Sequence, residues 1–67
     1  MIAVMADIWT PAVGEALKWM RAEGEEVEFI SRAVLDMGDV ATNVAALETL
    51  KDAKRIIYLN RDGEVVA

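Results

Sequence analysis

The sequence lacks cysteine and histidine altogether, and it has little proline, tyrosine and phenylalanine, with one of each. Without cysteine there is no disulfide, no thiolate nucleophile and no zinc site built on sulfur. Without histidine there is no imidazole base and no catalytic triad. These absences exclude most simple enzyme chemistry, so we expect a protein that is not an enzyme and that has no catalytic residues, no metal site and no cofactor.

Glycine is also scarce where a phosphate-binding turn would need it. Such a turn requires Gly-x-Gly-x-x-Gly directly after a strand, whereas the segment ADIWTPAVG contains Gly14 as its sole glycine. The 12 acidic residues do not follow the spacing of a calcium loop. The apolar start MIAVMADI has no basic n-region and is far shorter than the roughly 20 residues of a membrane span. We therefore expect a soluble, cytoplasmic protein.

The length of 67 residues allows one small hydrophobic core, and 55% hydrophobic with 28% charged residues is typical of a globular chain. The net charge of −5 is unevenly distributed, because residues 25–39 carry five acidic side chains and one basic one. Most basic residues lie in the C-terminal third. An anionic partner is therefore expected to bind there.

The segment around Thr10 and Pro11 predicts the start of a first helix. Threonine can cap a helix through its hydroxyl, and proline fits the first helical position because its missing N–H would have no partner. Gly24 predicts the end of the helix, which gives residues 11–23. An inward stripe follows from the spacing i, i+3, i+4, i+7, and it consists of Val13, Ala16, Leu17 and Met20.

Residues 25–38, EEVEFISRAVLDMG, can be interpreted in two ways. A helix would place Ile30, Ala33, Val34 and Met37 on one stripe, and acidic residues in its first turn would be favoured by the helix dipole. The alternative is a strand of about five residues followed by a loop, based on the alternation around Val27. We favour the helix because it accounts for more residues.

A third helix is predicted over residues 40–53, with Asp39 as its N-cap. Its helical spacing predicts an inward face that consists of Val40, Val44, Leu47 and Leu50. The outward face would then be mostly small, with Ala41, Thr42, Ala45, Ala46, Thr49 and Ala53. That face is either a contact surface or a set of good helix formers at positions that packing does not decide.

The chain then ends with two β-rich runs around NRDG, which predict a β-hairpin with Arg61 at its tip.

With this order of elements, the sequence resembles a winged helix-turn-helix domain. The resemblance covers residues 11–67 and rests on ALKWMRAEG as the first helix, FISRAVLDMG entering the turn, DVATNVAALETL as the recognition helix and KRIIYLNRDGEVV as the wing. It implies a mainly α fold with a C-terminal β-hairpin, in which residues 10–67 form one domain after an apolar arm or strand at residues 1–9. A small α/β half-sheet of the Rossmann type is the alternative, with IAVMADI, EEVEFI and RIIYLN as parallel strands.

The resemblance implies a transcriptional regulator that reads duplex DNA. Four residues of the third helix would lie near base edges, and four cations would contact phosphates. The base-edge residues are Thr42, Asn43, Ala46 and Thr49, and the phosphate-binding residues are Lys51, Lys54, Arg55 and Arg61. The alternative function is an acidic winged-helix module that binds or inhibits another protein, for which the alanine-rich face would be the contact surface.

The apolar segment of residues 1–9 is not needed to complete the predicted fold, and it must be buried somewhere. We expect it to form a homodimer interface through Ile2, Val4, Ile8 and Trp9. The other possibility is that the segment adds as a strand to the edge of the hairpin, which would leave a monomer.

Overall fold

The structure, a computed structural model, describes residues 1–66 and contains a three-stranded parallel sheet with the order β2-β1-β3. The prediction of a mainly α winged helix is therefore wrong. The strands are the three that the alternative α/β interpretation named. The elements are β1 (Ile2–Ala6), α1 (Pro11–Ala22), β2 (Val27–Ser31), α2 (Arg32–Leu35), α3 (Val40–Asp52) and β3 (Arg55–Leu59).

Strand β1 is the central strand, and Val4 lies opposite Phe29 of β2 and Ile57 of β3. A central parallel strand is buried on both faces and is apolar throughout, as IAVMA is. The chain moves from β1 to β2 in one direction and from β2 across β1 to β3 in the other. Right-handed crossovers then place α1 and α3 on opposite faces of the sheet.

Helix α1 covers one face of the sheet and forms the main core with it. The Thr10 hydroxyl accepts a hydrogen bond from the N–H of Val13 at 3.1 Å, and Gly24 has a φ of 90° after the C-cap. The predicted first helix is therefore confirmed, with its end at Ala22. The buried core consists of Ile2, Val4, Ala6, Val13, Leu17, Val27, Ile57 and Leu59.

The helix predicted for residues 25–38 is wrong, because the segment forms strand β2 followed by the single turn of α2. Val27 packs into the core under α1, whereas Ile30 is buried on the other face of the sheet. Burial on both faces removes the simple alternation that would have marked a strand. Ser31 caps α2, since its hydroxyl accepts from the N–H of Val34 at 3.4 Å.

Helix α3 begins at the predicted cap but packs with the opposite face. Thr42 donates its hydroxyl and its N–H to the Asp39 carboxylate, and these hydrogen bonds lower the pKa of Asp39. Ala46 is the buried residue of the helix. Three of the four side chains that were predicted to face inward are instead exposed: Val40 by 75%, Val44 by 48% and Leu47 by 66%.

The C-terminal segment reverses direction as predicted, but the strand pairing after the turn is much shorter than the predicted hairpin. The Asn60 side chain accepts from the N–H groups of Asp62 and Glu64, both at 3.0 Å, and forms the turn. Beyond the turn, the described residues form one antiparallel bridge, between Leu59 and Val65, with backbone hydrogen bonds from Asn60 to Glu64 and from Val66 to Tyr58, both at 2.9 Å. The partner of β3 is therefore β1, in parallel.

Residues 1–9 do not form a separate arm, because residues 2–6 are the central strand of the domain. The segment pairs with the C-terminal strand, which was the alternative to the dimer. In this pairing Ala3 lies opposite Ile56 and Met5 lies opposite Tyr58. In the described part of the chain, no helix is both long and apolar enough to cross a membrane.

Candidate functional site

The residues of α3 that were predicted to read bases face the sheet. Thr42, Ala46 and Thr49 line a groove between α3 and β2. The side-chain oxygen of Asn43 is buried and has no hydrogen-bond partner among the described residues. These four side chains therefore do not form an exposed surface that could enter a DNA groove.

The four predicted phosphate-binding cations lie at two ends of the sheet. Lys51, Lys54 and Arg55 lie around the start of β3, whereas Arg61 follows its end. A strand of five residues is about 17 Å long, so Arg61 does not share a surface with the other three. Lys54 also lies 3.9 Å from the carboxylate of Glu25.

Two of the four residues of the predicted dimer interface lie inside the domain, and two lie at its surface. Ile2 and Val4 are buried in the core of their own chain. Ile8 and Trp9 remain exposed, and the Trp9 ring meets Phe29 edge to face at 5.1 Å. The oligomeric state itself stays a prediction.

The groove between α3 and the outer strand β2 has a volume of about 390 Å³. Its floor is the face of β2 that carries Glu28 and Ile30, and its wall is the small-residue side of α3. We name this region the apolar groove, and its lining is Glu28, Phe29, Ile30, Ser31, Val34, Leu35, Thr42, Ala45, Ala46 and Thr49. Glu28 is the one charged residue of this lining.

A second depression of about 500 Å³ continues from the apolar groove, with which it shares Glu28, Ala45 and Thr49. Two elements direct carboxylates to it, because Glu26 and Glu28 alternate along one side of the chain entering β2, and Glu48 and Asp52 lie one turn apart on α3. Met1 completes the lining. We name this region the acidic end of the groove.

The other flank of α3 is an apolar ridge formed by Val40, Val44 and Leu47. Because Ala45 and Thr49 line the groove with β2, the side of α3 that carries the ridge is turned away from β2. Ile56 of β3 is also exposed, by 52%. Large apolar side chains that are exposed together on one helix are typical of a contact surface.

The carboxyl ends of the strands form another possible site. In open α/β sheets, ligands bind at the point where the strand order reverses, which is here between β1 and β3. The C-terminal turn occupies that point: the Thr10 hydroxyl donates to the carbonyl of Arg61 at 2.7 Å. A Cβ on Gly63 would lie 2.6 Å from the carbonyl oxygen of Ala12. A nucleotide at the start of α1 would have to displace this turn.

Beside that turn, the Tyr58 hydroxyl donates a hydrogen bond to Oδ1 of Asp7. This hydrogen bond raises the pKa of Tyr58, with smaller contributions from burial and from the Asp7 charge, while Arg32 opposes the increase. Asp7 and Arg32 also line a cavity of about 300 Å³. Among residues 1–66, no three carboxylates are placed to hold a metal ion.

The Asp7 and Tyr58 pair gives a direct prediction about pH. Asp7→Asn should lower the pKa of Tyr58, because the phenol then ionises without an adjacent carboxylate. The chain has a single tyrosine, so an absorbance titration of the phenolate reports on this residue alone. Since the folded pKa is raised, the pair stabilises the fold below the ordinary tyrosine pKa, and this contribution is lost as the pH rises through the folded pKa.

The matched control is Asp62→Asn, which removes a carboxylate from the exposed C-terminal turn. It should leave the Tyr58 titration unchanged. An unchanged titration in Asp7→Asn would contradict the hydrogen bond.

The groove was not predicted from the sequence, because β2 was assigned to a helix and the small face of α3 was expected to point away from the core. The available signal was the stripe of Ala45, Glu48, Thr49 and Asp52 at i, i+3, i+4, i+7, which places small and acidic side chains on one side of α3. Comparison of the chain with protein-family models, with curated proteins and with solved structures gives no match. The groove and the ridge must therefore be interpreted from their own geometry.

Proposed function

We propose that the chain is a protein-interaction module whose contact surface is helix α3 and the surfaces on either side of it. The observation that carries this proposal is the orientation of α3. The helix packs on the sheet through Ala46, which leaves the larger side chains of the apolar ridge in solvent. Exposing valine and leucine while burying alanine gives up hydrophobic stabilisation that the reverse packing would gain.

The size of the chain supports this interpretation. A domain of 67 residues buries only about 60% of the surface that its unfolded form exposes. Three large apolar side chains left exposed on one helix are therefore a substantial part of its hydrophobic surface. Contact with a partner would remove that surface from water.

The alternative of sequence-specific DNA binding has weaker support. Three of its four base-reading residues line the groove, and its cations lie at two ends of β3. Phosphate attraction supplies most nucleic-acid affinity, whereas this chain has a net charge of −5. The cytoplasmic location expected from the sequence stays a prediction.

Site-specific photocrosslinking in the cells that produce the protein tests the proposal. A photoreactive amino acid replaces Leu47 on the ridge in one variant, Ala45 at the groove in a second and Glu15 on α1 in a control. We expect discrete protein adducts from position 47 or 45 and none from position 15, because Glu15 is on the opposite side of the sheet.

The adduct from position 47 should also disappear when Val44→Lys is added, because a lysine would disrupt an apolar contact. Equal adducts at all three positions, or none at either α3 position, would contradict the proposed contact surface. Saturable, salt-sensitive binding to duplex DNA that Arg61→Ala weakens would instead support the nucleic-acid alternative.

A further inference from the structure

The groove beside β2 is apolar at one end and acidic at the other. One end is lined by Ile30, Val34 and Leu35, and the other by Glu26, Glu48 and Asp52. Glu28 lines both. A ligand that filled the whole groove would therefore need an apolar part and a cationic part.

The acidic end is electrostatically unfavourable without a partner. Glu48 and Asp52 are an i, i+4 pair of like charge, which destabilises a helix. They also lie at the C-terminal end of α3, where the helix dipole is negative. This lining has four carboxylates and no lysine or arginine side chain.

The arrangement does not suit a metal ion, because within residues 1–66 no three carboxylates converge on one point. Carboxylates spread along a groove instead suit several separate cations on an extended chain. From Glu26 to Ser31 the groove follows the outer edge of the sheet, a length of about 17 Å. An extended segment of about five or six residues spans this distance.

The edge of β2 offers backbone groups to such a segment. The carbonyl of Glu26 accepts from the N–H of Ile2, so even-numbered residues of β2 pair with β1. Odd-numbered residues then direct their backbone groups outward. The outward carbonyl of Val27 accepts from the Arg21 guanidinium at 3.1 Å. The next outward backbone groups are those of Phe29, which lines the groove while its ring packs on the α1 side of the sheet.

We propose that this groove binds a basic, amphipathic extended segment of another protein, with lysine or arginine at the acidic end and apolar side chains between β2 and α2. The segment would lie along Phe29 as an added strand. This inference rests on the proposed function, which it deepens by specifying the groove side of α3 and the chemistry of the partner.

The test uses fluorescence anisotropy with labelled synthetic peptides and the full chain. One peptide has a run of lysines followed by a run of alternating leucine and threonine, and a second has the same composition in reverse order. Two control peptides contain only the lysine run or only the apolar run. We expect saturable binding of one of the two amphipathic peptides, weakened by added salt, and binding at least tenfold weaker for both control peptides.

Charge reversal in the protein tests the location. Glu28→Lys should weaken binding about fivefold or more, and Glu48→Lys on the other wall should have a similar effect. Glu15→Lys makes the same change in net charge on α1, and it should change affinity less than twofold. Thermal unfolding of all three variants shows whether each is folded. The two groove substitutions lie on different elements, so if one variant does not fold, the other still tests the location.

Three results would overturn the inference: no saturable binding of either amphipathic peptide, equal binding of the lysine-only peptide, or an equal loss of affinity in Glu15→Lys. If the peptides fail while position 47 still gives specific adducts, the partner uses the ridge and this inference alone is wrong. If both experiments fail, the proposed function is wrong as well.

Discussion

Replacing Leu17 with alanine should lower the free energy of unfolding by about 2 to 5 kcal/mol. Leu17 is 1% exposed and lies between α1 and the sheet, so the shorter side chain leaves a cavity in the main core. The total stability of a chain this size is only about 3 to 10 kcal/mol. Chemical denaturation followed by circular dichroism would measure the loss.

Leu47→Ala is the matched control, because it makes the same chemical change on the apolar ridge. Leu47 is 66% exposed, so this substitution should change the free energy of unfolding by no more than about 0.5 kcal/mol. The two substitutions distinguish the observed packing from the winged-helix pattern, in which both leucines face inward. Equal losses of stability would contradict the orientation of α3.

Replacing Gly63 with alanine should have the second largest effect. Gly63 has a φ of 77°, and an added Cβ would lie 2.6 Å from the carbonyl oxygen of Ala12. The left-handed conformation costs an L-residue about 1 to 2 kcal/mol. Relief of the clash would move the turn away from α1, and this adds about 1 to 3 kcal/mol.

Gly38→Ala separates these two contributions. Gly38 has the same φ of 77°, but a Cβ there would have nothing within 4 Å. It should therefore show only the conformational cost, and denaturation of the two variants under one set of conditions gives the difference. If Gly63→Ala were no worse than Gly38→Ala, the packing of the C-terminal turn on α1 would be wrong.

Local signals in the sequence predicted what depends on neighbours along the chain. The caps at Thr10 and Asp39, the stripe around Leu17 and the turn after Leu59 all follow from side chains within a few residues of one another. Each is present in the structure. These elements are nevertheless compatible with more than one arrangement in space.

The arrangement itself depends on contacts between distant parts of the chain. Residues 25–38 fit a helical stripe in isolation, and burial on two faces of the sheet determines that Val27 and Ile30 belong to a strand. The apolar run of β1 was the available signal, because such a run is typical of a central parallel strand. The interpretation of this run as an arm left out the central strand, which pairs with both β2 and β3.

The candidate site was hidden for a related reason. Helical periodicity identifies two faces of α3, but hydrophobicity alone assigned the wrong one to the sheet. The small face is turned toward β2, where Ala46 and Ile30 are both buried. Three of the four predicted base-reading residues are therefore groove residues, and three of the four predicted core residues form the ridge.

The orientation of α3 is the central claim, and nuclear Overhauser effects between methyl groups measure it directly. We predict cross-peaks from the Ala46 methyl group to the side chain of Ile30, which lines the same groove. The methyl groups of Val44 and Leu47 should show no cross-peaks to Ile30. Strong cross-peaks from Val44 or Leu47 to Ile30, with none from Ala46, would contradict the account.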